Sequence, residues 1–199
     1  RRIEFRWIRL EQSEIVVSFE TRSSNLEDEN PARRVGTIQD ITKRRSAEKQ
    51  IRALAYYDNV TGLPNRTLLH EQLQQAIALA VRQKEALAVL FVDLDHFKRI
   101  NDTWGHPTGD KVLQLASARI KKSLRRSDIL IVANPATGKM GTFGQVVARI
   151  GGDEFVILLP KLRHPEDAAI VARRINAALA EPFNVQNTQV YISASIGIS

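Results

Sequence analysis

The spacing of apolar positions changes character along the chain, and the changes divide it into three parts. Over residues 1–42 the period is two. "IEFRWIRL" and "EIVVSFETRSS" read as strands, "NLEDENPARR" as a polar turn, and "VGTIQDI" as a third strand. Three strands cannot enclose a core alone, so this part reads as the tail of a β-rich domain. From Thr42 the period becomes helical. In "KRRSAEKQIRALAYYD" Ala47, Ile51 and Leu54 recur with charges between them, which predicts a linker helix over 43–57. Its apolar stripe suits pairing with a second copy.

The third part, 58–199, mixes the two periods. "VTGLPNR" is a turn and "TLLHEQLQQAIALAVRQK" an amphipathic helix. "ALAVLFVDLD" is an almost continuous apolar run, which predicts a strand buried on both faces. "GDKVLQLASARIKKSL" is a second helix, with Val112, Leu113, Ala116 and Ile120 on one side. Then come the hairpin "VVARI-GG-DEFVILL", a helix over about 165–181, and a last strand "VYISASIGIS". Strands and helices in this order predict an α/β or α+β sandwich around a mixed sheet. The Gly-, Pro- and Thr-rich "ANPATGKMGTFGQ" interrupts it and reads as a long exposed loop, an insertion over about 129–146.

Charge changes this picture little. The formal net charge is +7, but the basic residues are scattered in pairs such as Lys121-Lys122 and Arg173-Arg174. That pattern reads as solvated helix faces, with a surface that attracts polyanionic nucleotides as the alternative. It does not suggest a nucleic-acid groove, which would interleave aromatics. Cysteine is absent, which excludes thiolate metal sites and disulfides. No window approaches the apolar length of a membrane span. A cytoplasmic domain is expected, in a longer parent protein in which membrane segments are not excluded.

The chemistry concentrates in two places. In "ARIGGDEFVI" the pair Gly151-Gly152 is the dipeptide a tight hairpin prefers, because both central residues take positive φ. That places Asp153 and Glu154 at the start of the returning strand, pointing to opposite faces. Alone these are commonplace acids beside a turn. The second place is the end of "VLFVDLD", where Asp93 and Asp95 share a face, and carboxylates ending an apolar strand call for a positive partner. If that strand lies beside the hairpin, Asp93 meets either Asp153 or Glu154. Hard oxygen ligands of this kind suit Mg²⁺, which takes its remaining ligands from water and phosphates. Lys98 is a nearby partner for phosphate charge.

"DNVTGLPNR", "FVDLDHFKRINDTWGHPTGD", "ARIGGDEF" and "SIGIS", in that order, resemble the GGDEF family of diguanylate cyclases over about residues 58–199. "VGTIQDITKRRSAEKQI" looks, more loosely, like the end of a PAS sensor domain. The family resemblance implies a fold like the nucleotidyl cyclase and polymerase palm, a mostly antiparallel sheet flanked by helices. It implies that two GTP are joined into cyclic di-GMP with release of two pyrophosphates, across a homodimer. Carried over by motif, Asp93, Asp153 and the Leu94 carbonyl are ligands of Mg²⁺ (or Mn²⁺), and Glu154 supports them. Asp153 is also the base for the 3′-hydroxyl. Lys98 stabilises phosphate charge, Gly151 and Gly152 let backbone and phosphate approach, and Asn101 and Asp110 read the guanine edge. Asp95 is structural.

Plainer readings stand beside these: Asp110 as a helix N-cap, Asn101-Asp102 as a turn pair, Lys98 as a solvated cation. The family's inhibitory product site corresponds to Arg125 and Asp128, assisted by Arg173, although the insertion separates them from the hairpin. The insertion either loops out and leaves "VVARI" in place or abolishes feedback. The family's pattern continues past "SIGIS" into a phosphate-binding helix, and in hybrid members an EAL phosphodiesterase domain follows. A non-catalytic GTP-binding module in such a hybrid is the alternative function.

Overall fold

The structure is a computed structural model that describes residues 2–8, 14–23, 34–124, 130–133, 140–143, 146–162, 164–185 and 188–199. The chain divides into two compact units, Arg1–Ala53 and Leu54–Ser199. In the first, β1 (Arg2–Ile8), β2 (Glu14–Ser23) and β3 (Arg34–Asp40) form an antiparallel sheet in that order. The register sets Ile3 opposite Phe19 and Phe19 opposite Ile38, so one face is apolar. Helix α1 (Thr42–Tyr56) follows at once. Its first residue is tied down twice: the Thr42 amide and hydroxyl both donate to the Asp40 carboxylate, and the Thr42 hydroxyl oxygen accepts from the Val16 amide. Ile51 and Leu54 of the predicted stripe are exposed.

In the second unit, α2 (Arg66–Gln83) begins at an Asn65 cap, whose side chain accepts from the Leu68 amide. The central sheet contains β4 (Ala86–Leu94), β7 (Val146–Gly151), β8 (Glu154–Leu162) and β11 (Ala194–Ile198) in the order β11-β4-β8-β7, each pair antiparallel. Helices α3 (Phe97–Trp104), α4 (His106–Ser123) and α5 (Glu166–Ala180) complete the helical framework. One sheet face contributes Leu90, Val92, Leu94, Phe155 and Ile157 to a core shared with Phe97, Ile100, Val112, Ile120 and Ile175. Ala148, Val156 and Leu158 form a smaller cluster with Leu69 and Ala76 of α2. This is the mostly antiparallel α+β sandwich that the family resemblance implies; the sheet is not the mixed one that the strand and helix order predicts.

Four further expectations are corrected. The strand buried on both faces is β8, in which Phe155–Pro160 are all buried. In β4 alternate residues emerge and Phe91 is 52% exposed, because α2 reaches only as far as Leu87 and Val89 on that face. The insertion is not loop throughout: β5 (Leu130–Ala133) and β6 (Met140–Phe143) pair as an antiparallel hairpin. The last strand breaks in two, β10 (Thr188–Val190) paired with β9 (Phe183–Val185), and β11 after a gap at 191–193. Finally, α4 starts at His106 with Pro107 in its first turn, three residues before the expected Gly109.

Arg119 of α4 holds the end of α5. Its guanidinium donates to the carbonyls of Ala178, Glu181 and Pro182 and lies 3.7 Å from the centroid of the Phe183 ring. The last carbonyls of a helix have no partner within it, so this side chain satisfies groups that would otherwise stay unpaired. Arg119→Ala should lower the unfolding free energy by about 2–3 kcal/mol in denaturant titration. Arg119→Lys should recover only part of the loss, because an ammonium cannot match the planar fork.

Candidate active site at the Gly-Gly hairpin

The hairpin between β7 and β8 is shifted by one residue from the sequence-based expectation. Gly151 pairs with Glu154, so the two turn residues are Gly152 and Asp153. Gly152 takes φ +51°, and Asp153 follows without positive φ, an arrangement with glycine at the first central position. Gly151 lies at φ +156° beside a register shift between Arg149 and Gly151, where β7 bulges. Asp153 is therefore at the tip of the turn, and Glu154 begins the returning strand.

Strand β4 runs beside this hairpin. Asp93 pairs directly with Glu154 on one side and with Ser195 on the other, so the three side chains share a face. The Leu94 amide donates to the Asp153 carbonyl at 3.3 Å and brings the turn against the end of β4. Both acids proposed to meet Asp93 are thus near it, Glu154 across the strand pair and Asp153 at the turn. The limited burial of Asp93, then the charges of Asp153, Glu154 and Asp95, push its carboxyl above the usual carboxylate range. A cavity of about 370 Å³ lies against the same face, lined by Phe91, Asp93, Ile150, Glu154, Ser195 and Gly197 among others.

These acids do not form a closed cage. Among the described residues no three His, Cys, Asp or Glu side chains converge closely enough to hold a metal unaided. The set nevertheless fits Mg²⁺, which commonly takes only one or two protein carboxylates and keeps water or phosphate ligands. The direct pairing of Asp93 with Glu154, with Asp153 at the adjoining turn, is the observation that favours a bound cation. Asp95 has a different partner set: its two oxygens accept from the Ser193 and Ser195 hydroxyls at 2.5 and 2.7 Å, which hold its carboxyl below the usual range.

His96, in the left-handed region at φ 59°, turns the chain from β4 into α3. Lys98 is exposed in the first turn of α3. Asn101 and Asp102 are inside that helix, not in a turn. Asp110 lies a full turn inside α4, whose N-cap is Gly105, so Asp110 is not a cap. The helices meet at Gly109, where a β-carbon would come within 1.9 Å of the Asn101 Oδ1. The absence of a side chain at Gly109 therefore lets Asn101 lie beside the residue that precedes Asp110. Of the inhibitory set, Arg173 is exposed on α5, and Arg125 and Asp128 lie outside the described residues.

Sequence reasoning assigned no role to Arg149 and Asp58. The Arg149 guanidinium reaches both Asp58 carboxylate oxygens at 3.0 Å and donates to the Gly152 carbonyl from Nε at 3.0 Å and Nη2 at 2.7 Å. The pair is nearly buried, with side chains 11% and 17% exposed. The usable signal was an arginine inside an otherwise apolar strand, two residues before the glycines. Burial raises the Asp58 pKa, but the Thr61 hydroxyl and amide and then Arg149 outweigh it and hold the carboxyl below its ordinary value.

Residues 55–135 and 136–199 match the family described as diguanylate cyclase, GGDEF domain, and the chain belongs to that family. It is 40% identical over 153 residues to the bifunctional diguanylate cyclase/cyclic di-GMP phosphodiesterase MucR of Pseudomonas aeruginosa, covering 77% of this chain and 20% of MucR. It is 38% identical over 153 residues to the cyclic di-GMP phosphodiesterase NbdA of the same organism, covering 77% of this chain and 17% of NbdA. The chain thus spans about a fifth of the length of these curated relatives. Among solved structures, the isolated GGDEF domain of Pseudomonas aeruginosa TpbB (YfiN) superposes with a TM-score of 0.61 at 38% identity, over 72% of this chain and 74% of that one.

The Asp58 shift has a definite sign. A carboxyl held below its ordinary value near 3.8 contributes stability that is complete above that value and is lost as pH falls through the lowered one. Asp58→Asn should lower stability at neutral pH and flatten its fall on acidification, followed by thermal melts across that range. Arg149→Met, which leaves Asp58 semi-buried and unpaired, should cost about 2–3 kcal/mol. Melts of Asp58→Asn that parallel the parent's acid dependence would contradict the assignment.

Proposed function

We propose that this domain joins two GTP molecules into cyclic di-GMP, working as a homodimer that presents one hairpin edge to each nucleotide. The observation that carries the reading is Asp93 facing Glu154 across the β4–β8 pair, with Asp153 held at the turn against Leu94. Asp93, Asp153 and the Leu94 carbonyl would hold Mg²⁺, or Mn²⁺ in its place, with Glu154 in support. Bound there, the ion would supply Lewis-acid polarisation of the α-phosphate and charge for the leaving pyrophosphate. Asp153 accepts the proton of a 3′-hydroxyl as that oxygen bonds to the α-phosphorus of the other GTP. The bond from that phosphorus to the β-phosphate bridging oxygen breaks, and pyrophosphate leaves. A second, symmetric attack closes the ring.

Lys98 stabilises the negative charge that gathers on the phosphate oxygens. Asp110 accepts from the N1–H and N2–H₂ of guanine, an edge adenine does not offer, and Asn101 completes the reading. The first unit serves as a PAS-like input, and α1 sets the dimer geometry through Ile51 and Leu54. One observation favours a second reading. The NbdA relative is named for phosphodiesterase activity alone, which suits a GTP-binding module that regulates a neighbouring EAL domain.

The full-length protein given GTP and Mg²⁺ should form cyclic di-GMP. Mg²⁺-dependent GTP binding without product would replace the first reading by the second. Asp153→Asn should lower turnover by at least about 10²-fold with the fold intact. Asp93→Asn should also remove activity yet leave the melting temperature equal or slightly raised, because it relieves like-charge repulsion.

Gly109→Ala separates packing from recognition. In a helix interior this change ordinarily stabilises by up to about 1 kcal/mol. Here the new methyl group meets the Asn101 carboxamide, so GTP binding should weaken about tenfold while the melting temperature stays near that of the parent. Calorimetric titration with GTP checks this directly, and unchanged affinity would remove Asn101 from the nucleotide site.

A further inference from the structure

Helix α3 has two working sides. One carries Lys98 and Asn101; the other borders a separate cleft of about 560 Å³ that the proposed chemistry does not use. That volume is within the range of small-molecule sites, about 300–1,000 Å³. The helix side supplies His96, Arg99 and Trp104, and the segment where the last strand breaks supplies Gln189, Tyr191 and Ser193.

Three features of this cleft point to the same ligand chemistry. Trp104 and Tyr191 line it while 44% and 68% exposed, which leaves large ring surfaces in water where a planar group would cover them. Arg99 is exposed and, among the described residues, forms no ion pair; a guanidinium in that state suits a bidentate carboxylate or phosphate. The acid in the wall, Asp95, is held by the Ser193 and Ser195 hydroxyls, one to each oxygen, and keeps its negative charge, which directs an anionic group of the ligand away from it and to Arg99. The Tyr191 hydroxyl donates to the Gln189 side chain at 3.1 Å, which orients the ring at the rim.

We infer that this cleft is a second ligand site, for a small aromatic or heteroaromatic anion whose ring lies against Trp104 and Tyr191 and whose carboxylate or phosphate pairs with Arg99. The site is independent of the reading given for the hairpin, since none of its residues is among the acids proposed to hold the ion or the residues proposed to read guanine; Asp95, in its wall, is engaged by two serines.

The protein contains two tryptophans, Trp7 and Trp104, so Trp7→Phe makes Trp104 the only reporter. Titration of that variant with AMP, as the phosphate-bearing probe, and separately with 4-hydroxyphenylacetate, as the carboxylate-bearing one, should change its emission saturably with at least one of them. Added Arg99→Ala should weaken that probe about tenfold, and Tyr191→Ala several-fold, with circular dichroism unchanged. Added Asp110→Ala should leave probe binding intact, because it lies at the other nucleotide site. A featureless titration with both probes, undiminished binding in Arg99→Ala, or binding lost in Asp110→Ala would each overturn the assignment.

Discussion

One guanidinium joins the opening turn of the domain to the hairpin that carries the candidate active site. Arg149 grips Asp58 in the opening turn with both carboxylate oxygens, and with its remaining donors it grips the Gly152 carbonyl in the hairpin. Asp58 is itself folded into its own turn by Thr61, so the guanidinium is fixed at one end before it touches the glycines. The hairpin in turn meets β4 through Leu94 and the Asp153 carbonyl. A hairpin end with two successive glycines, one in the strand and one in the turn, has little intrinsic reason to hold one shape. Its restraint comes from outside, through hydrogen bonds to the exposed Gly152 carbonyl from a guanidinium whose other end is anchored in the part-buried pair with Asp58.

That restraint acts against an electrostatic cost. Asp93, Asp153 and Glu154 are gathered at one end of the sheet, and burial, then these charges and that of Asp95, hold the Asp93 pKa above the usual carboxylate range. A fold optimised for stability alone would disperse these charges; the strand register instead makes Asp93 and Glu154 direct partners. Local conflict of this kind, backed by the buried core on the other face of the sheet, marks a place where charge is gathered against what stability alone would favour. The same logic separates Asp95 from its neighbours. Each of its oxygens accepts from a serine hydroxyl, so it ties the end of β4 to the chain that leads into β11 and through its first residues.

The sequence made the sheet and its acids legible because both follow short-range rules. Period two placed Asp93 on an outward face, and paired glycines marked the hairpin. The register did not follow from those rules: a bulge near Ile150 moved the turn one residue on, and bulges depend on the partner strand. Helix α3 was missed as a helix because eight residues give a weak period, although Phe97 and Ile100 are both buried. The two-sided burial assigned to "ALAVLFVDLD" failed for a tertiary reason, since how far α2 extends across the sheet is not encoded within β4. Arg149 shows the complementary case: its partner is 91 residues away, beyond any window of sequence pattern.

The insertion tests how far the site depends on its surroundings. The family match breaks between residues 135 and 136, in the middle of the segment between β5 and β6. A disturbance there could have propagated into β7, which follows directly. Instead Val146, Val147 and Ala148 pair with Leu158, Ile157 and Val156 in unbroken antiparallel register. The extra hairpin closes upon itself, with Leu130 opposite Phe143 and Ala133 opposite Met140, so its ladder requires nothing from the central sheet. A self-paired insertion lengthens the connection at modest entropic cost and leaves the strand that carries Arg149 where the turn needs it. The glycine hairpin is thus held by its pairing with β8, by the Leu94 amide on the Asp153 carbonyl and by the Asp58–Arg149 link, none of which comes from the inserted segment.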